Sequence, residues 1–347
     1  MLPQPPKNRI EIVGALRGLA ALAVCWFHFT FGQQALLRRS GAFGWLGVHV
    51  FFVISGFIIP YSMYRSGYRL RNYLRFTLKR LARLHPPYIA SIAITLALIY
   101  FAVWVPTAAG DRPDIGFRQL VLHFFYLNDF AGKPWFNVVY WTLAIELQWY
   151  LLIGLAFPTL ADSRGWVQVS GTGLLLVSFY LGMRYERVVF HSLPIFLIGV
   201  FVFQYRVGLS SAARMLLSIA AMFAVMRVPI GLPVAWVSAA TGLVIAGFAL
   251  QNRWLNKLGD VSYSLYLLHL PVGLTVIGLA SRLPYSGSYI LVIDLAAVGA
   301  SLGAAYLMYR MIEEPSQRLS SRISLHAPAL HAQPEPVLVP EASLAGN

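Results

Sequence analysis

The stretch "ALRGLAALAVCWFHFT", residues 15–30, has the apolar density of a membrane-spanning helix, yet it carries Arg17 and His28. An arginine at the centre of a spanning helix costs about 2.5–3.5 kcal/mol on insertion scales, so its presence asks for a reason. Eleven residue steps from Arg17 to His28 turn a helix by roughly 20° more than three full turns. The two side chains therefore share one face, about 16 Å apart along the axis. The plain alternatives are snorkelling of Arg17 to the membrane surface and an inter-helix hydrogen bond for His28. A shared face makes coincidence a weaker explanation for the pair.

The rest of the chain repeats the character of this stretch. Of 347 residues, 58% are hydrophobic, 14% aromatic and only 12% charged, against about 25% charged in an ordinary soluble domain. Apolar runs approaching the length of a bilayer span, about 20 residues, recur from end to end. The fold class is all-α: a polytopic transmembrane helical bundle. The net charge of +14 is not a nucleic-acid signal, because the basic residues sit at helix ends and in short loops, as the positive-inside rule describes. Cys25 is the only cysteine, so an intrachain disulfide and a cysteine metal cluster are both excluded, and no metal is expected. The basic residues before the first apolar run resemble a signal peptide, but no small-residue cleavage site follows, which argues for a retained first helix.

Hydropathy predicts ten spans: 11–31, 44–64, 87–105, 138–158, 168–183, 188–204, 211–227, 233–250, 262–281 and 288–310. The short apolar segment "LVLHFFYLNDF" (120–130) is expected at the interface or re-entering the membrane. Its histidine, asparagine and aspartate argue against lipid exposure. With the N-terminus inside, seventeen Lys/Arg fall on the inner side and nine on the outer side. The densest block, seven Lys/Arg from Arg65 to Arg83, lies between the second and third spans. The orientation follows as N-in, C-in. The integral-membrane domain is expected over 1–322. The proline- and alanine-rich tail, 323–347, is expected to be disordered and cytoplasmic.

Several polar residues stand inside or beside these spans. The second span holds Ser55 and Gly56 at its middle, with Pro60 after them; small residues permit close helix approach. Arg80 and Arg83 are three apart and neighbours on a helix, and their forked guanidinium groups suit phosphate oxygens; anionic lipid is the plain alternative. Glu146 is the one carboxylate at the middle of the fourth span, so it should face the bundle interior and have a partner, either a histidine to orient or an arginine to balance. In "LGDVSYSLYLLHLPVG", Ser262, Tyr266 and His269 fall at i, i+4, i+7 spacing on one face, with Tyr263 beside them as a second-rank pocket element.

Taken together, Arg17-x10-His28, "GVHVFFVISGFII", Arg80-x-x-Arg83 before "PPY", "WTLAIELQWY" and "LGDVSYSLYLLHLP" resemble the membrane acyltransferase-3 family, in family order over roughly residues 9–315. The resemblance implies a ten-helix acyltransferase of the bacterial inner membrane. Its donor would be a cytoplasmic acyl-CoA, most often acetyl-CoA, and its acceptor a hydroxyl of a cell-surface or secreted carbohydrate or glycolipid. It implies that His28 is the essential histidine, Arg17 its partner, and Arg80 and Arg83 the cytoplasmic arginine motif. Some relatives carry a further hydrolase-like domain outside the membrane, and the short tail here is too small to be one. On this reading the acyl-CoA phosphates lie near Arg80, Arg83 and Arg17, the thioester reaches His28, and His28 acts as general base with Glu146 as its first-choice orienting partner. A transporter or flippase of a lipid-linked sugar or small solute is the competing class, since buried Arg, His and Glu also make a proton relay. The absence of detectable paired halves disfavours it.

Overall fold

In a computed structural model, which describes residues 11–33, 35–104, 115–250, 252–282 and 289–325, the opening stretch forms one helix, α1 (Glu11–Thr30). After the short α2 (Ala35–Gly41) come α3 (Gly47–Arg65) and the long α4 (Tyr73–Trp104). A short α5 (Phe117–Phe124) precedes α6 (Tyr140–Leu160), α7 (Gly165–Gly182) and α8 (Val189–Arg206). The chain continues through α9 (Ala212–Met226), α10 (Leu232–Gly247), α11 (Arg253–Ala280), α12 (Ile290–Met308) and α13 (Glu314–Arg322). No strand occurs among the described residues, and the protein is an all-α polytopic bundle. Eight helical runs among them are long and apolar enough to cross a membrane.

The contacts between helices fix their directions. Phe52 of α3 stacks on Phe196 of α8 at 4.8 Å, and Tyr64 meets Phe203 further along, so these two helices are parallel. Trp149 and Phe157 of α6 meet the same two phenylalanines in the same order. With α6 and α8 parallel, the chain between them must return along the bundle, and α7 does so. At about 1.5 Å per residue its 18 residues extend about 27 Å, close to a hydrocarbon core, although α7 is not among the eight apolar runs. The apolar run Ala212–Gly247 is not one helix. Phe223 and Trp236 meet edge to face at 4.8 Å, whereas thirteen residues of continuous helix would separate them by about 20 Å. The chain reverses through a π-helical turn at Arg227–Gly231, where Gly231 takes φ +115°, a conformation that suits glycine.

Two pairs of glycines set the closest approaches. Gly56 and Gly199 put the backbones of α3 and α8 in contact, and a Cβ on either would strike the other helix's main chain. Gly14 and Gly259 bring α1 and α11 together: a Cβ on Gly259 would strike the Gly14 main chain and one on Gly14 the Asn256 side chain. The two helices run parallel, with Phe29 against Gly273 further along. This is the small-residue packing used where lipid offers no hydrophobic drive.

One sequence expectation shifts. The basic block before residue 87 is not a loop: α4 begins at Tyr73 and passes through Pro86 and Pro87. Lys and Arg are good helix formers, and their density there marks the inner end of a helix. α13 packs against this end, with Ser320 donating to the Lys79 carbonyl. Beyond α13, Lys79 and Asn72 donate to the carbonyls of Ile323 and Leu325, so the first residues of the predicted tail dock on α4. Residues 326–347 lie outside the described residues. The 120–130 segment forms α5 and a tight loop in which His123 and Asn128 are fully buried.

Candidate active site

Two cavities lie on either side of the bundle's middle. The first, of about 270 Å³, collects Arg17 from α1, Ser55 from α3, Arg80 and Arg83 from α4, Glu146 from α6, and Tyr263 and Tyr266 from α11. Seven residues singled out from the sequence thus share one space. Arg80 and Arg83 reach it because α4 carries them about 10–15 Å past its start.

Glu146 is held there by two hydroxyls. Ser55 Oγ donates to its Oε1 at 2.9 Å, and the Tyr150 phenol, one turn on, donates to the same oxygen. Among the described residues Arg17, Arg80 and Arg83 form no ion pair. Arg80 is 9% exposed, its Nε has no hydrogen-bond partner, and its guanidinium lies 5.4 Å and 5.8 Å from the ring centres of Phe76 and Tyr150. A second carboxylate, Glu313, stands within electrostatic reach of Arg17 and Arg83. It is buried in the π-helical segment Tyr309–Glu313, where Ser264 donates to it through both Oγ and the backbone N–H. Three guanidinium groups face two carboxylates, both already engaged by hydroxyls. Burying an excess positive charge is costly unless an anion balances it, so the cavity is electrostatically suited to an anionic ligand.

Tyr263 donates to the Leu84 carbonyl at 2.9 Å, and Tyr266 bonds Thr142 Oγ1 at 2.7 Å. Both phenols are thereby committed to the wall. Asn137, just before α6, and Leu270, one turn beyond Tyr266 on α11, line the second cavity, so the two spaces stand nearly back to back.

The second cavity, of about 700 Å³, is lined largely by apolar side chains together with His28, Thr95, Asn137, Thr275 and Arg282. Thr95 is bonded to Tyr140, Asn137 to the Leu267 carbonyl and Thr275 to the Pro271 carbonyl. His28 makes no hydrogen bond among the described residues. Its ring lies 5.1 Å from Phe27 and 5.3 Å from His269, which is fully buried. The structure brings His28 to His269; it does not bring Glu146 to His28. Arg17 and His28, on one face of one helix, open into different cavities.

The sequence reading missed Tyr150, Thr142 and Glu313. Tyr150 stands four residues after Glu146, a helix-neighbour spacing that could have marked it. Among the described residues no cluster of three or more His, Cys, Asp or Glu side chains is arranged to hold a metal.

A membrane bundle that gathers arginines around a carboxylate on one side of its middle, and turns a histidine into a second cavity, has the layout of an integral-membrane group-transfer enzyme. Comparison with known proteins makes that specific. The chain belongs to the acyltransferase domain family, which matches residues 10–310. Nodulation protein 10 of Rhizobium leguminosarum bv. viciae is 27% identical over 327 residues, covering 80% of this chain and 83% of the relative. The O-acetyltransferase OatA of Staphylococcus aureus is 28% identical over 354 residues, covering 87% of this chain and 56% of OatA. ORF330 of Acidianus two-tailed virus is 28% identical over 177 residues, covering 51% of this chain and 48% of the relative. The chain thus spans about half the length of the last two. No solved structure matches it.

Proposed function

We propose that the protein transfers an acyl group, acetyl by preference, from a cytoplasmic acyl-CoA to a hydroxyl of a cell-surface or secreted glycan or glycolipid. Its domain is residues 1–322, held in a bacterial inner membrane with both termini in the cytoplasm. The observation that carries this reading is the cationic cavity around Arg17, Arg80 and Arg83, with His28, on the same helix as Arg17, in an adjoining cavity.

The arginines hold the phosphates of the donor, with Glu146 spacing and balancing them. The pantetheine arm runs along α1, so that the thioester arrives at the level of His28. His28 takes the proton of the acceptor hydroxyl as the oxygen attacks the thioester carbonyl. A C–O bond forms, the C–S bond breaks, and CoA leaves as the thiol after accepting a proton. General base catalysis of this kind contributes about 10²–10⁴-fold. An arginine near the carbonyl adds stabilisation of the oxyanion.

Mass spectrometry of surface glycans and secreted metabolites, with and without the protein, tests the reading. The expected result is a species that loses one acyl mass when the protein is absent. Identical acylation in both samples, with an unmodified solute accumulating on one side of the membrane, contradicts it and favours a transporter.

A further inference from the structure

His269 stands directly behind His28 as seen from the second cavity, and its hydrogen bonding is half complete. It is 0% exposed and lines neither cavity. Its Nδ1 lies 2.8 Å from the Tyr266 carbonyl and 3.2 Å from that of Leu265. Carbonyls only accept, so Nδ1 carries the proton and donates. In neutral His269 the Nε2 lone pair is therefore left as an acceptor, and Nε2 has no hydrogen-bond partner. A buried acceptor left unpaired costs about 1–3 kcal/mol.

The rings surrounding His269 narrow the choice of donor. Phe29 at 6.4 Å has no donor, and the Tyr266 phenol is bonded to Thr142. His28, at 5.3 Å between ring centres and with planes inclined by 39°, has a ring N–H to give. A linear N–H···N bond of about 3 Å between two imidazoles places their centres about 5 Å apart. The separation is already that of a bonded pair, and rotation of the His28 ring supplies the direction.

We propose that His269 is a positioning residue for His28. Its Nε2 accepts a hydrogen bond from one ring nitrogen of His28, which leaves the other His28 nitrogen unprotonated and turned into the cavity. The backbone carbonyls of α11 thus set the tautomer of His269, and His269 sets the tautomer of His28, as an orienting group does for a catalytic base. This assignment rests on the reading of His28 as the base.

The test uses the full chain in lipid nanodiscs, as wild type, His269→Phe and His269→Gln. The Phe ring keeps the volume and removes the acceptor; the Gln amide can donate to the Tyr266 carbonyl and accept from His28. The first readout is ¹⁵N NMR of histidine-labelled protein, with the His28 signals assigned by their loss in His28→Ala. Wild type should show a single neutral tautomer at His28, His269→Phe a mixture, and His269→Gln a restored single form. An unchanged tautomer in His269→Phe overturns the proposal, whether or not transfer is detected.

The second readout is acyl transfer. The value of kcat should fall about 100-fold or more in His269→Phe with KM for acyl-CoA unchanged, and recover in part in His269→Gln. A wild-type kcat in His269→Phe overturns the proposal, as does a His269→Gln variant no more active than His269→Phe. Should His269→Phe fail to fold, His269→Asn, too short to reach His28, replaces it with the same expectations. If His28 shows the expected tautomers but no acyl-CoA-dependent transfer occurs, the proposed reaction fails while the positioning contact stands.

Discussion

Glu146 accepts two hydrogen bonds at one carboxylate oxygen while facing Arg17, Arg80 and Arg83 across the cavity. Tyr150→Phe removes one of those donors without changing the ring, and a lost hydrogen bond of this kind costs about 1 kcal/mol or more. Its thermal unfolding midpoint in detergent should fall, and an unaltered midpoint would show that the contact carries no weight. Replacing Arg80 and Arg83 together by glutamine should raise the Kd for acyl-CoA about 10–100-fold, read by calorimetry, because charge-assisted contacts to phosphate are worth more than neutral ones. Unchanged binding would remove both from the donor site. Arg17, His28 and Glu146 were legible in the sequence because each is an ionisable residue inside an apolar run. Their grouping was not, since helix periodicity assigns a face on one helix and leaves the neighbouring helix open. Arg17 and His28 share a face as predicted, yet they line two different cavities.

At the scale of elements, the close approach of α3 and α8 depends on Gly56 and Gly199. Gly199→Val should destabilise the bundle strongly, because overpacking alone costs about 1–3 kcal/mol and the obstacle here is main chain. Gly303 on α12 has open space around its Cα, so Gly303→Ala should be neutral or stabilise by up to about 1 kcal/mol. Equal effects in the two variants, compared by thermal unfolding, would contradict the packing account. The loop after α5 supplies a pH dependence. Buried His123 accepts a hydrogen bond from the Phe136 backbone N–H at its Nε2, and burial holds its pKa below the ordinary value. The unfolded loop therefore binds more protons than the folded one below about pH 6.5. Its stability is full above that pH and is lost as the pH falls, which hydrogen exchange of residues 117–139 should show; flat protection from pH 7 to pH 5 would contradict it. Boundaries were less legible than the helices themselves. The start of α4 was hidden because a block of lysines and arginines suits an inner helix end as well as a loop. The α9–α10 reversal, by contrast, was marked by Pro229 and Gly231 between two apolar runs.

For the molecule as a whole, helix directions carry the topology. The parallel pairs α3–α8, α6–α8 and α1–α11 fit a chain that alternates direction through ten helices, and they require α7 to pass from one side to the other. Cysteines placed at Ser163 and Glu186, both exposed and on either side of α7, test this. The native Cys25 is fully buried and should stay silent. With both termini inside, an impermeant thiol reagent should label the Glu186 position in intact cells and the Ser163 position only in inverted vesicles. Labelling of both from one side would remove α7 as a crossing. The all-α polytopic bundle was readable from hydropathy because each apolar run had to be satisfied by its own backbone hydrogen bonds; the cavities were not, because they form between helices distant in sequence.

The most direct measurement is acyl transfer by the purified protein in proteoliposomes, supplied with radiolabelled acetyl-CoA and a lipid-linked or soluble glycan extract from its own membrane. Wild-type protein should move label from the thioester to an acceptor hydroxyl. His28→Ala should abolish transfer and still bind acetyl-CoA, and Arg80→Gln with Arg83→Gln should weaken that binding. Near-normal transfer by His28→Ala, or loss of donor binding in that variant alone, would contradict the division of labour between the two cavities.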